Sequence, residues 1–394
     1  MTSEGKSMTH ARIEKLLPTI QTPAYVADEA RLRRNLAVLK DVKDRTGVHI
    51  IYAIKACPLY PIFPILAETL DGSTASGYFE AKLGHEHFGK EVHVFNPAYT
   101  PRDIDDLLSL NTPVHFYFNS VGQLEQFEAK IRAASPNHQI GIRINPRLSV
   151  TKYEKYNPCR RGSHLGVPLE KLDTVPWDKI DIFHAHALCE NMAEQSAQLI
   201  QQIADKAAPY IAHVKCVNFG GGHFITDPDY NADVLVDALN AFQKQFPHVQ
   251  TMLEPGAASV RDGGYIVSSV IAVVETDGVQ TAIIDASANC HVPDVIKAAV
   301  RLDILGSGEV GEKPHSYTIA ARTCMARDVW GEYSFDAPLK AGDKIVFTDG
   351  LQYSMGEANW FNGHPRPDLG IIQADGTYKV LHRFGYEDFK FNCG

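Results

Sequence analysis

Short apolar runs alternate with stretches of helical spacing through the first 256 positions of the chain. Strand-like runs end near Lys55, Ser76, Pro97, Ser120, Asn145, Ala187, Gly222 and Gly256, eight in all. Between them, residues 63–70, 79–88, 102–110, 122–134, 191–212 and 232–246 read as helices. An opening helix over 31–46 carries Leu32, Leu36, Leu39 and Val42 at helical spacing, with Asp28 before it as N-cap. Strand then helix, repeated eight times, predicts a (β/α)8 barrel over residues 29–261, close to the ~250 residues typical of that fold. From Gly264 the pattern changes to strand-like runs over 265–274, 281–285, 317–321 and 344–348, set apart by turn-prone residues. That portion, 262–394, predicts an antiparallel β domain of sandwich or barrel type. The strand-like residues 23–26 join it, so 1–28 belong with it. The fold class is α/β plus β, with one domain discontinuous in sequence.

Composition adds limits rather than detail. With 394 residues, 44% hydrophobic and 22% charged, the chain is an ordinary globular one with core enough for two domains. A formal net charge of -9 argues against nucleic acid or an anionic membrane surface as the main partner and mildly favours a cationic ligand. The seven cysteines are scattered and never spaced Cys-x-x-Cys, which indicates neither a disulfide framework nor a zinc knuckle and points to a reducing cytoplasm. No stretch approaches the ~20 apolar residues of a membrane span, and the first 20 positions lack a signal-peptide pattern.

Chemistry in such a barrel gathers at the carboxyl ends of the strands. The first strand ends in Lys55, the fifth in Arg143, the sixth in His184 and His186, the seventh in Gly220-Gly221-Gly222 and the eighth in Glu254-Pro255-Gly256. Each has an ordinary reading. A lysine there can snorkel into water, or its amine can be made nucleophilic by desolvation. A glycine triplet is a tight turn or a backbone cradle for phosphate. The two histidines, on one side of their strand, are core residues, metal ligands or a platform for a planar ring. Glu254 is a turn residue or a buried carboxylate. Together they match what pyridoxal phosphate requires: a Schiff-base lysine, a flat side chain over the ring, amides on the phosphate and a carboxylate at the pyridine nitrogen.

Further segments carry a resemblance over nearly the whole chain: Thr74-Ala75-Ser76, Tyr156-Asn157-Pro158-Cys159, Leu188-Cys189-Glu190, Gly220-Gly221-Gly222-His223, Asp285-Ala286-Ser287, Thr323-Cys324-Met325 and Tyr333-Ser334-Phe335-Asp336. On these the sequence resembles the fold-type III pyridoxal-phosphate decarboxylases, relatives of alanine racemase, ornithine decarboxylase and diaminopimelate decarboxylase. Within that family it is similar to the branch acting on carboxynorspermidine and carboxyspermidine in polyamine biosynthesis. The resemblance implies that Lys55 carries the cofactor, His186 stacks on its ring, Glu254 pairs with its nitrogen, and Arg143, Gly220, Gly221, Gly222 and Tyr353 complete the cofactor site. It further implies that Cys324 protonates the carbanion, reaching the site from the other subunit of a homodimer. Asp285 and Asp328, with Glu254, become candidates to hold the substrate's ammonium groups; both aspartates also read as turn or cap residues. The chain departs from the family pattern at Ala257-Ala258, Arg322 and Arg327. Decarboxylation of ornithine, lysine or diaminopimelate is the rival within the family, and metal-dependent hydrolysis by the histidine pair the rival outside it.

Overall fold

The computed structural model describes residues 3–151 and 154–394, with side chains from residue 10 onward. The chain divides into two compact units, one of Arg33–Ser259 and the other of Met1–Leu32 with Val260–Gly394.

In chain order the first strand, β1 (Ala24–Asp28), belongs to the second unit. The first unit then supplies β2 (His49–Ala53), β3 (Gly72–Ala75), β4 (Glu91–Phe95), β5 (Val114–Phe118), β6 (Gln139–Asn145), the two-residue β7 (Val167–Pro168), β8 (Ile182–Ala185), β9 (Cys216–Asn218) and β10 (Gln250–Leu253). All pair in parallel in the order β5-β4-β3-β2-β10-β9-β8-β6, and β5 pairs with β6 to close the ring. The predicted eight-stranded parallel barrel is what forms. Strands buried on both faces have no polar face to alternate with, which is why β2 and β5 read as nearly continuous apolar runs. Helices Phe63–Ala67, Tyr78–His87, Pro101–Leu108, Val121–Ala134, Ala193–Ile211 and Ala232–Gln245 fall within a few residues of the expected spans. Thr100 caps the third of these, accepting from the Asp103 amide while Asp103 accepts in return.

Successive residues of a barrel strand point in and out, so layers stack inside with a period of two. One interior layer is apolar: Ile51, Tyr117, Ile182, Cys216 and Met252 cluster together, with Phe95 packed against them. Gly141 leaves room for the Tyr117 ring, since a Cβ there would stand 2.5 Å from its Cδ1.

The second unit adds β11 (Gly264–Thr276), β12 (Val279–Ile284), β13 (His315–Ala321), β14 (Val329–Phe335), β15 (Lys344–Thr348), β16 (Asp368–Ile372) and β17 (Tyr378–His382). Their order is β14-β13-β12-β11-β1-β16-β17, with β15 also on β11. Most pairings are antiparallel as expected, but β1 with β16 and β12 with β13 are parallel, so the sheet is mixed. The N-terminal strand does join it, through Ala24↔Val267 and its neighbours. A register shift between Val270 and Ala272 lets the long β11 pair with β1 and β15 in its first half and with β12 in its second. The core of this unit gathers Ile13, Ile20, Val26, Tyr265, Val267, Val346 and Ile372. Ile13 comes from a helix, Ser3–Leu16, that the apolar pattern did not announce. Among the described residues no helix is long and apolar enough to cross a membrane.

Candidate active site

Two residues beyond the apolar layer, the interior of the barrel turns polar. His184 stands two positions after Ile182, Asn218 two after Cys216 and Glu254 two after Met252, so the period that packs the core also aims these side chains inward. Lys55 lies two residues past the end of β2, in a single 3-10 turn over Ile54–Ala56 rather than in the strand itself. Burial, then the Arg143 guanidinium, hold its amine below the usual lysine range, against a smaller upward pull from Glu254. The Lys55 side chain as a whole is nonetheless exposed to water. A lysine biased toward the free amine is the better nucleophile.

Glu254 is buried, and burial raises its pKa. Asn218, which motif reading passed over, holds it: Asn218 Nδ2 donates to Glu254 Oε1 at 2.6 Å, while Asn218 Oδ1 accepts from the Gly220 amide at 2.8 Å. The same Nδ2 lies 3.1 Å from the Tyr117 hydroxyl, which is 2.9 Å from His93 Nδ1. The only sequence signal for Asn218 is a polar residue at an inward position of an apolar strand, just before the glycines.

The glycine loop is tightly bound to its surroundings. The Gly220 carbonyl accepts from the Glu254 amide at 2.8 Å and the Gly222 carbonyl from the Asn191 amide at 2.8 Å. The Gly221 amide donates to His186 Nδ1 at 2.8 Å. Gly222 adopts φ +87°, and a Cβ on it would lie 2.1 Å from the Leu188 carbonyl oxygen, so only glycine fits. Because the Gly220 and Gly221 amides are already spent on Asn218 and His186, Gly222 is the one whose N–H has no protein acceptor among the described residues.

The two histidines have different settings. His186 accepts at Nδ1, so its neutral ring carries the proton on Nε2; burial, then the Arg143 charge, keep it neutral. His184 is wholly buried beside Arg143 and Asn218 in the ladder, held neutral by the same two causes, and neither ring nitrogen has a partner among the described residues. Its Nε2 stands 4.0 Å from Glu254 Oε1, too far for a hydrogen bond. The pair forms no three-residue cluster of metal-ligand type; the one such group among the described residues is Glu91, His93 and His115. Arg143 lies over the Phe95 ring at 4.5 Å and donates to the His186 carbonyl at 3.3 Å, while its buried Nε has no partner among the described residues. Burial lowers its pKa to about 10, so it remains a cation.

In the other unit, Cys324 is exposed, and its amide donates to Asn362 Oδ1 at 2.9 Å. Asp328, buried, accepts from the Ser287 hydroxyl at 2.6 Å, the Thr323 hydroxyl at 2.5 Å and the Asn289 amide at 3.1 Å. Asp285 accepts from the Thr22 hydroxyl at 2.6 Å, the Ser268 hydroxyl at 2.6 Å and the Ser269 amide at 2.9 Å. Both aspartates thus spend their oxygens on their own unit. Tyr353 is half-buried with φ +47°, a left-handed conformation rare for an aromatic residue.

The donor set fits pyridoxal phosphate. It offers a lysine amine biased toward its free form, a carboxyl with Oε2 unclaimed among the described residues, a flat neutral imidazole, and a glycine loop with an amide to spare. Comparison with known proteins agrees. Residues 24–350 match the family model described as pyridoxal-dependent decarboxylase, C-terminal sheet domain. The chain is 34% identical to the carboxynorspermidine/carboxyspermidine decarboxylase of Campylobacter jejuni, over 94% of this chain and 98% of that protein. It is 32% identical to the carboxyaminopropylagmatine decarboxylase of Synechocystis, over 96% and 97% of the two chains. The crystal structure of the Campylobacter jejuni carboxynorspermidine decarboxylase, complexed with norspermidine, superposes with a TM-score of 0.87 at 32% identity, covering 95% of this chain and 100% of that one.

Proposed function

The chain belongs to the pyridoxal-dependent decarboxylases, and from that premise we propose that it decarboxylates carboxynorspermidine and carboxyspermidine to norspermidine and spermidine. The observation that carries the chemistry is Lys55, an amine held below its usual range at the carboxyl end of a barrel strand, with Glu254 and Arg143 as its charged neighbours. The substrate class rests on the Campylobacter jejuni relative and its norspermidine complex.

The barrel, residues 29–261, binds the cofactor in this reading. Bound there, pyridoxal phosphate supplies an electrophilic carbon for amines and a ring that accepts the electrons of the broken carbon–carbon bond. Lys55 would hold the cofactor through its amine. Glu254 would serve the ring nitrogen, steadied by Asn218 on Oε1. His186 would cover the ring with its imidazole, which the Gly221 amide fixes. Gly222 would offer its amide to the phosphate, with Gly220 and Gly221 shaping the loop and Tyr353 as the tyrosine that the resemblance assigns to the same group; burial, then the Arg143 charge, biases the neighbouring amine and imidazoles toward their neutral forms.

The Cys324 thiol delivers the proton that replaces carbon dioxide on the substrate carbon, from the partner subunit of a homodimer. Exposed Ile271, Val274 and Val279 on the β11–β12 hairpin support association. Asp285 and Asp328 would have to release internal donors to bind ammonium groups, so we assign them to positioning: Asp328, through Thr323, steadies the backbone next to Cys324. All seven cysteines are free, which supports a reducing, cytoplasmic setting.

The Synechocystis relative motivates a second reading, a substrate with a guanidinium tail. Purified enzyme offered carboxynorspermidine, carboxyspermidine, carboxyaminopropylagmatine, ornithine, lysine and diaminopimelate in parallel decides. The proposal expects the largest kcat/KM on the first two, and preference for any of the others overturns it.

A further inference from the structure

At the opposite end of the barrel interior lies a group of side chains that decarboxylation does not use. Glu91 opens β4, His93 follows two residues later on the same face, and His115 is the ladder partner of His93 on β5. Since Tyr117, two residues after His115, belongs to the apolar interior layer, all three point into the barrel below that layer. The pleat therefore forces two imidazoles and a carboxylate together. The rings lie 4.0 Å apart between centroids, and one donor atom from each residue lies within 4.8 Å of the others.

From this arrangement we infer that Glu91, His93 and His115 bind a divalent transition-metal ion of the zinc class at the amino-terminal end of the barrel strands. Three features beyond proximity support it. His115 is buried, and its Nδ1 has no hydrogen-bond partner among the described residues, an expensive state for a ring nitrogen unless something coordinates there. His93 Nδ1 is held by the Tyr117 hydroxyl at 2.9 Å, the outer-shell bond that fixes a ligating imidazole and turns Nε2 toward the ion. That Nε2 is 3.3 Å from Glu91 Oε2, close to the separation of two ligands on a tetrahedral ion with bonds of ~2.0–2.1 Å.

The Glu91 side chain is 41% exposed, which gives an ion a way in from water. His49, two residues before the interior Ile51, also has a buried Nδ1 with no partner among the described residues, which makes it a candidate fourth ligand. Two imidazoles and a carboxylate favour zinc, cobalt or nickel over magnesium or calcium.

Zinc chloride titrated by calorimetry into chelator-treated holoenzyme tests this. The expected result is one saturable site per chain, weakened at least tenfold by Glu91→Gln and by His115→Gln. Cobalt(II) in place of zinc should develop visible d–d bands of nitrogen and oxygen coordination that both variants lose. Glu91 is half-exposed, so Glu91→Gln keeps the test valid where His115→Gln fails to fold. No saturable binding, or binding equally tight in the folded variants, overturns the site.

Discussion

At Lys55 burial, then the Arg143 charge, favours the free amine, while Glu254 and more weakly Glu80 and Cys189 favour the ammonium. Lys55→Ala should therefore abolish both the visible absorbance of bound cofactor and turnover, read in one spectrophotometric assay; retained turnover refutes its role. Asn218 is the sharper test, because it touches Glu254 and the glycine loop at once. Replacing it with leucine leaves a buried carboxyl without its donor, and on the scale of other buried electrostatic contacts should lower kcat by on the order of 10²-fold. Asn218→Asp, which keeps the acceptor for Gly220 but sets a second carboxylate against Glu254, should lower kcat as well while sparing cofactor affinity. Lys55, His186 and Glu254 were legible in the sequence because each ends an apolar run. Asn218 was not, since an asparagine separated by one residue from three glycines looks like any turn.

Among the elements, the glycine loop shows how far a strand-end rule reaches. Its position after β9 followed from periodicity, but that two of its three amides serve Asn218 and His186 could not be read from a triplet. Gly222→Ala should displace the loop, because a methyl group meets the Leu188 carbonyl at 2.1 Å. Cofactor titration should show affinity reduced at least tenfold, with the barrel's circular dichroism kept. The Cys324 segment behaves similarly. Asp328 reaches Ser287 across 41 residues of sequence, a pairing no local pattern encodes. Asp328→Ala strands two hydroxyls and an amide, and by the cost of lost buried hydrogen bonds should destabilise by about 1–3 kcal/mol, measured by urea unfolding. In the sheet unit the apolar runs located β1, β11, β12, β13 and β15 but not β14, β16 or β17. Their parallel pairings escaped, because an apolar run does not record the direction of its neighbour.

Taken whole, the protein carries buried neutral histidines in both units. Burial lowers His223 to about 4 and His291 to about 3. Their unfolded pKa is ~6.5, so below that pH the unfolded chain binds protons the native one refuses. Stability is thus fully present above pH ~6.5 and falls as pH drops toward these folded values. Urea midpoints measured between pH 7 and 5 should decline steadily, and a flat profile contradicts the assignment. Sedimentation should report a dimer if Cys324 works across subunits, and mixing Lys55→Ala with Cys324→Ala chains should restore part of the activity that each lacks.

Strand β1 pairs with Gly264–Val267 on one side and with Asp368–Ile372 on the other. A ribosome therefore releases its five residues long before either neighbour exists, and translation must pass Ile372 before the second edge is covered. A nascent chain halted at residue 360 would hold a finished barrel tethered to an open, adhesive ribbon. In vivo yield should consequently depend more on chaperone supply than the barrel alone would require.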